Sequence, residues 1–421
     1  WRLTTPYDDE SADEEWYYFK SNGKRAEGEK ITYKGKTYYF DSDGKMLTGW
    51  VNKGEGTAAV NEATGYIANQ TFYCDETGAR VEGAWVKDTK PGITDDDADE
   101  DEFWYYLKKA TGKPATGKQS NINGQIYLFN ADGQMQSGWV AASSDSDVKF
   151  FQLDKEDEEK PMSYATGDVY YCGDEDDGHA KKNKWLKTWL PNDTNEEEDD
   201  KSWFWFDKNG KLYRTGITAT ASNATKYKLE EGKLVVDKAS YGVAKKKVNS
   251  KDYYFDANGV MLSKFYLIDD NMYYFGGSDD GSMKTGSQSI KDNTGDTYKF
   301  YFYTKDQNIT DYKSNSGAKL YKGAGVIGNQ SNKLYYYGML IQADDYKYQL
   351  ATVNGKTFIV NSNGSIQHSA IEYKEDGDVL IPAKEAKFNT TDKQYKYYVT
   401  EGLGTSAVTD INLDNFVEGI N

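Results

Sequence analysis

Apolar and polar positions alternate along residues 38–50 with the period of a β-strand, and a turn then interrupts the pattern. The segment reads YYFDSDGKMLTGW, so Tyr38 and Phe40 share one face of an extended strand. The aspartates before Gly44 can accept bonds from nearby backbone amides, and glycine adopts a left-handed conformation without a steric penalty. Residues 45–48 are expected to return as a second strand. The pattern therefore predicts a β-hairpin.

The same phrase returns along the chain. Clear copies occupy 38–50, 72–85, 127–139 and 253–265, and blurred copies begin at Tyr17, Tyr105, Phe150, Tyr170, Phe204, Tyr273 and Tyr335. Because a two-stranded hairpin alone is marginal in water, each unit must stack its aromatic face on its neighbours. The sequence therefore predicts an all-β fold, a β-hairpin solenoid of tandem repeats, and such arrays usually present binding surfaces.

The repeats also suggest how the chain is divided. The phrase is recognisable over residues 1–300, whereas the copies decay beyond that point and the C-terminal end lacks the phrase. We expect hairpin repeats over 1–300, and divergent repeats with a C-terminal cap or a linker to a further module over 301–421. Because the chain opens on Trp1, where the closing Trp of a copy would lie, we expect a fragment of a longer protein.

Composition and charge narrow the range of partners. Hydrophobic residues make up only 37% of the chain, but aromatic residues reach 15%, so we expect a core built from rings. The net charge of −17 disfavours nucleic acid and anionic membranes, because no excess of positive charge is available to displace counterions. No apolar run is long enough to cross a bilayer, so membrane insertion is not expected. Cys74 and Cys172 are expected to be free, buried thiols.

The phrase at 38–50, Tyr-Tyr-Phe-Asp-x-x-Gly-x-Met-x-Thr-Gly-Trp, resembles the cell-wall-binding repeats of Gram-positive bacteria. That group includes choline-binding repeats and the glucan-binding repeats of glucansucrases, and the match is equally specific at 127–139. The resemblance implies an extracellular protein, secreted or attached to the bacterial surface. It also implies a non-catalytic module that binds a cell-wall polymer or glucan. The alternatives are a choline-binding module that recognises a choline-bearing teichoic acid, and a structural spacer or adhesin stalk.

The resemblance also implies where ligands bind. In choline-binding relatives a closing Trp, the next opening Trp and a later Tyr surround a quaternary ammonium between successive hairpins, through cation–π attraction. Complete pairs are offered by Trp1 with Trp16, Trp85 with Trp104, and Trp189 with Trp203. The candidate aromatic ligands are Trp16, Trp50, Trp85, Trp104, Tyr127, Trp139, Trp189 and Trp203. The alternative for these rings is a place in the core, since the hairpins have little else to bury.

Acidic blocks at 8–15, 95–102 and 193–200 precede the Trp-led strands. Like charges at this density repel one another unless they are solvated or neutralised, and Ca²⁺ is a hard cation that takes many oxygen ligands. The candidate calcium ligands are Asp95, Asp97, Asp99 and Asp101, and no other cofactor is expected. The alternative is that these blocks are solvated loops.

An active site within the chain is not expected. A glycosidase needs two carboxylates held at a fixed separation in a pocket, whereas these carboxylates occupy polar runs or turns. His179 and His368 are the two histidines of the chain and lie in unrelated contexts, so no metal triad or Ser/His/Asp set can be assembled.

Overall fold

The computed structural model describes residues 1–6, 11–53, 60–93, 101–155, 159–191, 197, 200–216, 221–309, 313–314, 317, 319–345, 348–369, 372–375, 377–381 and 410–420. Nearly all regular elements in these ranges are antiparallel β-strands, and short 3₁₀ helices occur at Met162–Tyr164 and Leu413–Asn415. No helix in the described part of the chain is long and apolar enough to cross a membrane. The predicted all-β class of hairpin repeats is confirmed.

The chain divides into two compact units. The first comprises residues 1–201 and 205–212, and the second comprises residues 202–204 and 213–421. The repeat phrase weakens near residue 300, which lies inside the second unit, so this point does not coincide with the boundary between the two compact units.

The first unit is a succession of small sheets. Its strands are β1 (Arg2–Thr4), β2 (Glu15–Tyr17), β3 (Lys30–Tyr33), β4 (Lys36–Tyr39), β5 (Gly49–Lys53), β6 (Val60–Glu62), β7 (Thr71–Cys74), β8 (Ala84–Asp88), β9 (Phe103–Leu107), β10 (Gly117–Ile122), β11 (Gln125–Phe129), β12 (Trp139–Ala142), β13 (Phe150–Gln152), β14 (Val169–Tyr171) and β15 (Lys184–Thr188), and β16 (Ser202–Phe206) contributes its last residues. Two-stranded sheets (β1-β2, β3-β4, β8-β9, β10-β11, β15-β16) are interspersed with three-stranded sheets (β6-β5-β7, β13-β12-β14).

The turns have the predicted chemistry. Asp41 Oδ1 accepts from the backbone N–H groups of Asp43 at 2.9 Å and Lys45 at 2.8 Å, and Gly44 has φ +77°. Asn130 makes the same pair of bonds in a later copy, to Asp132 and Gln134. Because one side chain ties two amides, each turn is fixed locally.

The predicted return strand at 45–48 is wrong in extent. Only an isolated bridge joins Phe40 to Met46, and β4 pairs with the preceding strand β3. The next strand of the phrase is β5, which starts at Gly49 and pairs with β7. The turn bonds hold the chain as far as Lys45, so few residues remain for a ladder before the left-handed Gly49, whose φ is +66°.

Aromatic rings fill the core of the first unit, as the composition predicted. Tyr39, Phe40, Tyr105 and Phe129 are each 0% exposed. Both cysteines are buried and unpaired, which confirms the expectation for them.

The second unit contains larger sheets. Its strands are β17 (Ser222–Glu230), β18 (Lys233–Val248), β19 (Lys251–Phe255), β20 (Phe265–Ile268), β21 (Asn271–Tyr274), β22 (Gly286–Lys291), β23 (Thr297–Phe302), β24 (Gly328–Gln330), β25 (Lys333–Tyr336), β26 (Met339–Leu340), β27 (Tyr348–Val353), β28 (Lys356–Asn361), β29 (Ile366–Gln367), β30 (Tyr373–Glu375) and β31 (Asp378–Ile381). The sheet orders are β19-β18-β17-β20-β21, β22-β23-β26-β25-β24, β27-β28-β29 and β30-β31. Its main core is partly aliphatic and includes Leu234, Ile327, Val353 and Val360.

Candidate ligand-binding site

Three aromatic rings from two successive hairpins meet in the first unit. Trp85 lies on β8, Trp104 on the paired strand β9, and Tyr127 on β11 of the following hairpin. The Trp85 and Trp104 ring centroids are 6.4 Å apart at 88°, and those of Trp85 and Tyr127 are 4.8 Å apart at 62°. Trp85 therefore stands edge to face with each of the other two rings, and all three rings border one space.

That space is a pocket of about 190 Å³, lined by Trp85, Trp104, Tyr127, Met135, Asp176 and Asp177. We call it the aromatic pocket. Met135 is 9% exposed, and its backbone N–H donates to the Trp104 carbonyl at 2.9 Å. One part of the wall is therefore apolar and anchored to the hairpin backbone, and the other part consists of two carboxylates.

The carboxylates give the aromatic pocket a negative side. The Trp104 indole Nε1–H donates to Asp176 Oδ1 at 3.1 Å, while the Asp176 side chain stays 78% exposed. Lys87 Nζ lies 3.7 Å from the same oxygen and 6.0 Å from the centre of the Trp104 ring. A cation in the pocket would therefore meet a carboxylate that one lysine already neutralises in part.

The second carboxylate, Asp177, is held ionised. Partial burial opposes ionisation, but bonds from His179 and Lys181 outweigh it and lower the pKa of Asp177. Partial burial and the charge of Asp177 raise the pKa of Tyr127, so the phenol stays neutral at physiological pH. The pocket thus combines neutral rings with negative charge.

The loop 173–181 positions both carboxylates. Gly178 has φ +56°, and a Cβ there would overlap the Met135 thioether. Glycine adopts this left-handed conformation without a steric penalty and leaves room for Met135, so it favours the loop position that brings Asp176 to the Trp104 indole. Sequence reasoning missed Asp176 and Asp177. The available signal was the longer turn GDEDDGHA at the place where an earlier copy has DETGA.

A second constellation of the same geometry surrounds Trp1. Its centroid lies 6.4 Å from that of Trp16 at 82° and 4.8 Å from that of Tyr38 at 68°. The Trp16 carbonyl accepts from the Met46 N–H at 2.9 Å, as Trp104 does from Met135. Trp1 and Trp16 are 38% and 43% exposed, so this group is more open than the aromatic pocket.

In the second unit, Trp203 repeats the contacts of Trp104. Its Nε1–H donates to Asp279 Oδ1 at 2.9 Å, and its carbonyl accepts from the Met261 N–H at 2.9 Å. Trp85 is the second residue of β8. The second residue of β15, a strand of the first unit, is Trp185. The assignment of Trp189 as the closing Trp is therefore corrected to Trp185, because the strand ends at Thr188.

Trp189 has a different surrounding. Its carbonyl accepts from the Trp139 indole at 2.9 Å, and its own Nε1–H donates to the Glu197 carbonyl at 3.0 Å. Lys201 Nζ lies 4.1 Å from the centre of its ring, so the chain's own cation occupies one face.

Two other candidate tryptophans belong to the core. Trp50 is 8% exposed and Trp139 is 2% exposed. Their indoles donate to the carbonyls of Thr89 at 3.0 Å and Trp189 at 2.9 Å. Trp50 also packs edge to face on Tyr105, with centroids 4.6 Å apart. We leave both out of the candidate site, because buried rings offer no open face.

Most of the predicted calcium ligands lie outside the part of the chain that the structure describes. Asp95, Asp97 and Asp99 lie outside the described residues, and Asp101 is an exposed residue just before β9. Within the described ranges, no cluster of three or more His, Cys, Asp or Glu residues could hold a metal ion. The calcium site stays a prediction.

Family models match three stretches of the chain. The choline-binding repeat model matches residues 10–49, which include Trp16 and Tyr38, and the putative cell wall binding repeat model matches residues 197–212 and 246–261. The second of these stretches contains Trp203, whereas Trp85, Trp104 and Tyr127 lie outside all three matched stretches.

Several relatives share longer stretches. Glucosyltransferase-I of Streptococcus downei is 26% identical over 82% of this chain, which spans 20% of that protein. A putative endo-beta-N-acetylglucosaminidase of Streptococcus pneumoniae is 29% identical over 27% of this chain, which spans 13% of that protein. The chain thus covers a minor part of each.

Among solved structures, choline binding protein F from Streptococcus pneumoniae is similar over 87% of this chain and 98% of its own, with 17% identity and a TM-score of 0.34. At residues 10–49, 197–212 and 246–261 the chain is therefore similar to choline-binding and cell-wall-binding repeats.

Proposed function

We propose that this chain is a non-catalytic binding module that attaches a secreted or surface-bound bacterial protein to a cell-wall polymer or glucan. The observation that carries the proposal is the aromatic pocket, in which Trp85, Trp104 and Tyr127 enclose about 190 Å³ beside two carboxylates. The repeat families matched by the chain support the same assignment.

The chemistry of the pocket favours a small organic cation. A quaternary ammonium such as choline offers no N–H donor, so its recognition depends on ring faces and on negative charge, and the pocket supplies both. The similar ring geometry around Trp1 supports a second site of the same kind. Several weak sites on one polymer would combine into firm attachment through effective concentration.

A sugar ring is the second candidate for the pocket. Indole faces can stack on the apolar face of a pyranose, and the similarity to glucosyltransferase-I over 82% of this chain favours this alternative. In that case Asp176 would accept bonds from sugar hydroxyl groups.

The buried carboxylates support a non-catalytic role. Burial raises the pKa of Asp154 and of Asp256, although backbone bonds oppose the shift. Asp154 accepts from the backbone of Trp139, and Asp256 accepts from the backbone of its own turn. Both are therefore explained by structure.

Calorimetric titration tests the proposal. Choline chloride and a neutral glucose oligosaccharide are titrated separately into the unmodified chain, a Trp104→Ala variant and a Tyr164→Ala control. Tyr164 is 61% exposed and does not line the pocket, so its removal matches the loss of a surface ring. We expect Trp104→Ala to remove one set of choline sites, while the control keeps all of them.

The outcomes separate the candidates. Loss of sugar heat with unchanged choline heat in Trp104→Ala would assign the pocket to saccharide. Identical titrations of all three proteins with both ligands would contradict the proposed function.

A further inference from the structure

A second cleft lies in the second unit, in a region without tryptophan. Its volume is about 780 Å³, and its walls come from the β17–β18 turn, from β23, from residues after β26 and from the segment 410–416. This volume falls in the roughly 300–1,000 Å³ range of small-molecule sites. We call it the amide cleft, after the side chains described below.

The C-terminal wall of the amide cleft is fixed to the strands. Parallel bridges join Leu350 to Asp410 and Leu234 to Val417, and Val417 is 1% exposed. The Ile411 N–H donates to the Leu350 carbonyl at 2.8 Å, and the Leu234 N–H donates to the Phe416 carbonyl, also at 2.8 Å. Because the segment is tied at both ends, the cleft is formed before any ligand arrives.

The base of the lining is apolar. Met339 is 3% exposed and Leu340 is 5% exposed, while the rings of Tyr298 and Phe416 are half-buried at the same cleft. The Tyr298 hydroxyl group packs close to Gly232, which has φ +77°, so the ring is braced by the β17–β18 turn. Half-buried rings of this kind suit the C–H face of a sugar.

Three amide side chains line the amide cleft. Gln342, Asn363 and Asn415 are exposed there, and no hydrogen bond of their side-chain amides is found among the described residues. Each amide offers a carbonyl acceptor and an NH₂ donor. Neighbouring sugar hydroxyl groups need the same combination, because each hydroxyl both donates and accepts.

The charge of the lining decides between classes of glycan. Glu231, Asp344 and Asp410 face one lysine, Lys299. This acidic excess opposes phosphate-bearing polymers and uronates, because like charges repel. Asp410 also accepts from the Thr352 hydroxyl at 2.6 Å, which fixes its carboxylate at the rim.

We propose that the amide cleft binds a short neutral oligosaccharide, with its rings on Tyr298 and Phe416 and its hydroxyl groups on Gln342, Asn363 and Asn415. The site is separate from the aromatic pocket and does not depend on what that pocket binds. The chain would then hold two kinds of ligand through two kinds of chemistry.

The test uses the full chain with Trp16→Ala, Trp85→Ala and Trp104→Ala, which removes the aromatic sites of the first unit. Neutral glucose oligosaccharides with α-1,4, α-1,6 and β-1,4 linkages are titrated by calorimetry, after circular dichroism has confirmed the fold. We expect at least one of them to bind. Adding Gln342→Ala and Asn415→Ala should then weaken that binding tenfold or more, whereas adding Asn209→Ala, an exposed amide in the first unit, should leave it unchanged.

The same two amide substitutions in the otherwise unmodified chain give an independent readout. We expect lower sugar heat and unchanged choline heat. The proposal is overturned if none of the oligosaccharides binds the triple Trp variant, or if binding survives loss of both amides. Neither result touches the aromatic pocket, whose failure would appear as unchanged choline and sugar titrations of Trp104→Ala.

Discussion

Replacing Asp176 by Asn isolates the charge of the aromatic pocket. The amide oxygen of the new side chain can still accept from the Trp104 indole, which lies 3.1 Å from Asp176 Oδ1, so the loop and the ring keep their positions. Only the negative charge is lost. If the pocket holds a cation, binding should weaken; if it holds a neutral sugar, binding should change little.

The size of the effect follows from the geometry. A cation about 5 Å from the carboxylate gains roughly 1 kcal/mol in water and about 3 kcal/mol at an effective dielectric constant of 20. The Asp176 side chain is 78% exposed, and Lys87 Nζ lies 3.7 Å from its oxygen, so the lower figure applies. About 1 kcal/mol corresponds to a roughly fivefold loss of affinity.

The assay is a choline titration in a Trp16→Ala background, which removes the more exposed ring group around Trp1. It is run at low and at high salt, because screening reduces interactions between exposed charges. We expect the fivefold difference in affinity between Asp176→Asn and its parent at low salt to shrink at high salt. Asp132→Asn, an exposed acid that does not line the pocket, is the control and should bind as the parent does. Equal affinities for Asp176→Asn and its parent at low salt would refute the electrostatic reasoning.

Other predictions concern stability and reactivity. Gly44→Ala should lower the free energy of unfolding more than Gly23→Ala. Both glycines have φ +77°, but only a Cβ at Gly44 would lie 2.9 Å from the Ala26 carbonyl oxygen. The left-handed conformation alone costs about 1–2 kcal/mol in either variant, so equal denaturant midpoints of the two variants would contradict the contact. Burial raises the pKa of the Cys74 thiol to about 12, so a thiol reagent at pH 8 should label it only on unfolding, and rapid labelling of the native chain would show that the site is open. Because its pKa is raised, the Cys74 thiol stays protonated in the folded state at pH values where the unfolded chain loses the proton. The contribution of this thiol to the free energy of unfolding should therefore be complete below about pH 9 and be lost as the pH rises towards 12, which an alkaline denaturation series would measure. Trp139→Ala should cost about 3–5 kcal/mol because the ring is 2% exposed, and a midpoint like that of the parent would remove the ring from the core.

The hairpin turns could be predicted because their chemistry is local. A side-chain oxygen at Asp41 or Asn130 and a glycine three residues later determine the turn without help from distant parts of the chain. The grouping of Trp85 and Trp104 with Tyr127 was predictable only through the resemblance to choline-binding repeats. These rings meet because their strands are neighbours in sequence.

The remaining features depend on register and on distant contacts. The sequence KWLKTWL offers two Trp-Leu pairs, and only the pairing of β15 places Trp185 rather than Trp189 at the closing position. Asp176 reaches Trp104 from a loop far along the chain, so no local pattern marks it. The long strands β17 and β18 carry no copy of the phrase, and they pair within a five-stranded sheet.

The most direct test of the central claim is a crystal structure of the chain soaked with choline. We expect the trimethylammonium group to lie between the faces of Trp85, Trp104 and Tyr127, with Asp176 beside it. Choline bound only at other places, or an aromatic pocket that stays unoccupied at saturating choline, would contradict the account.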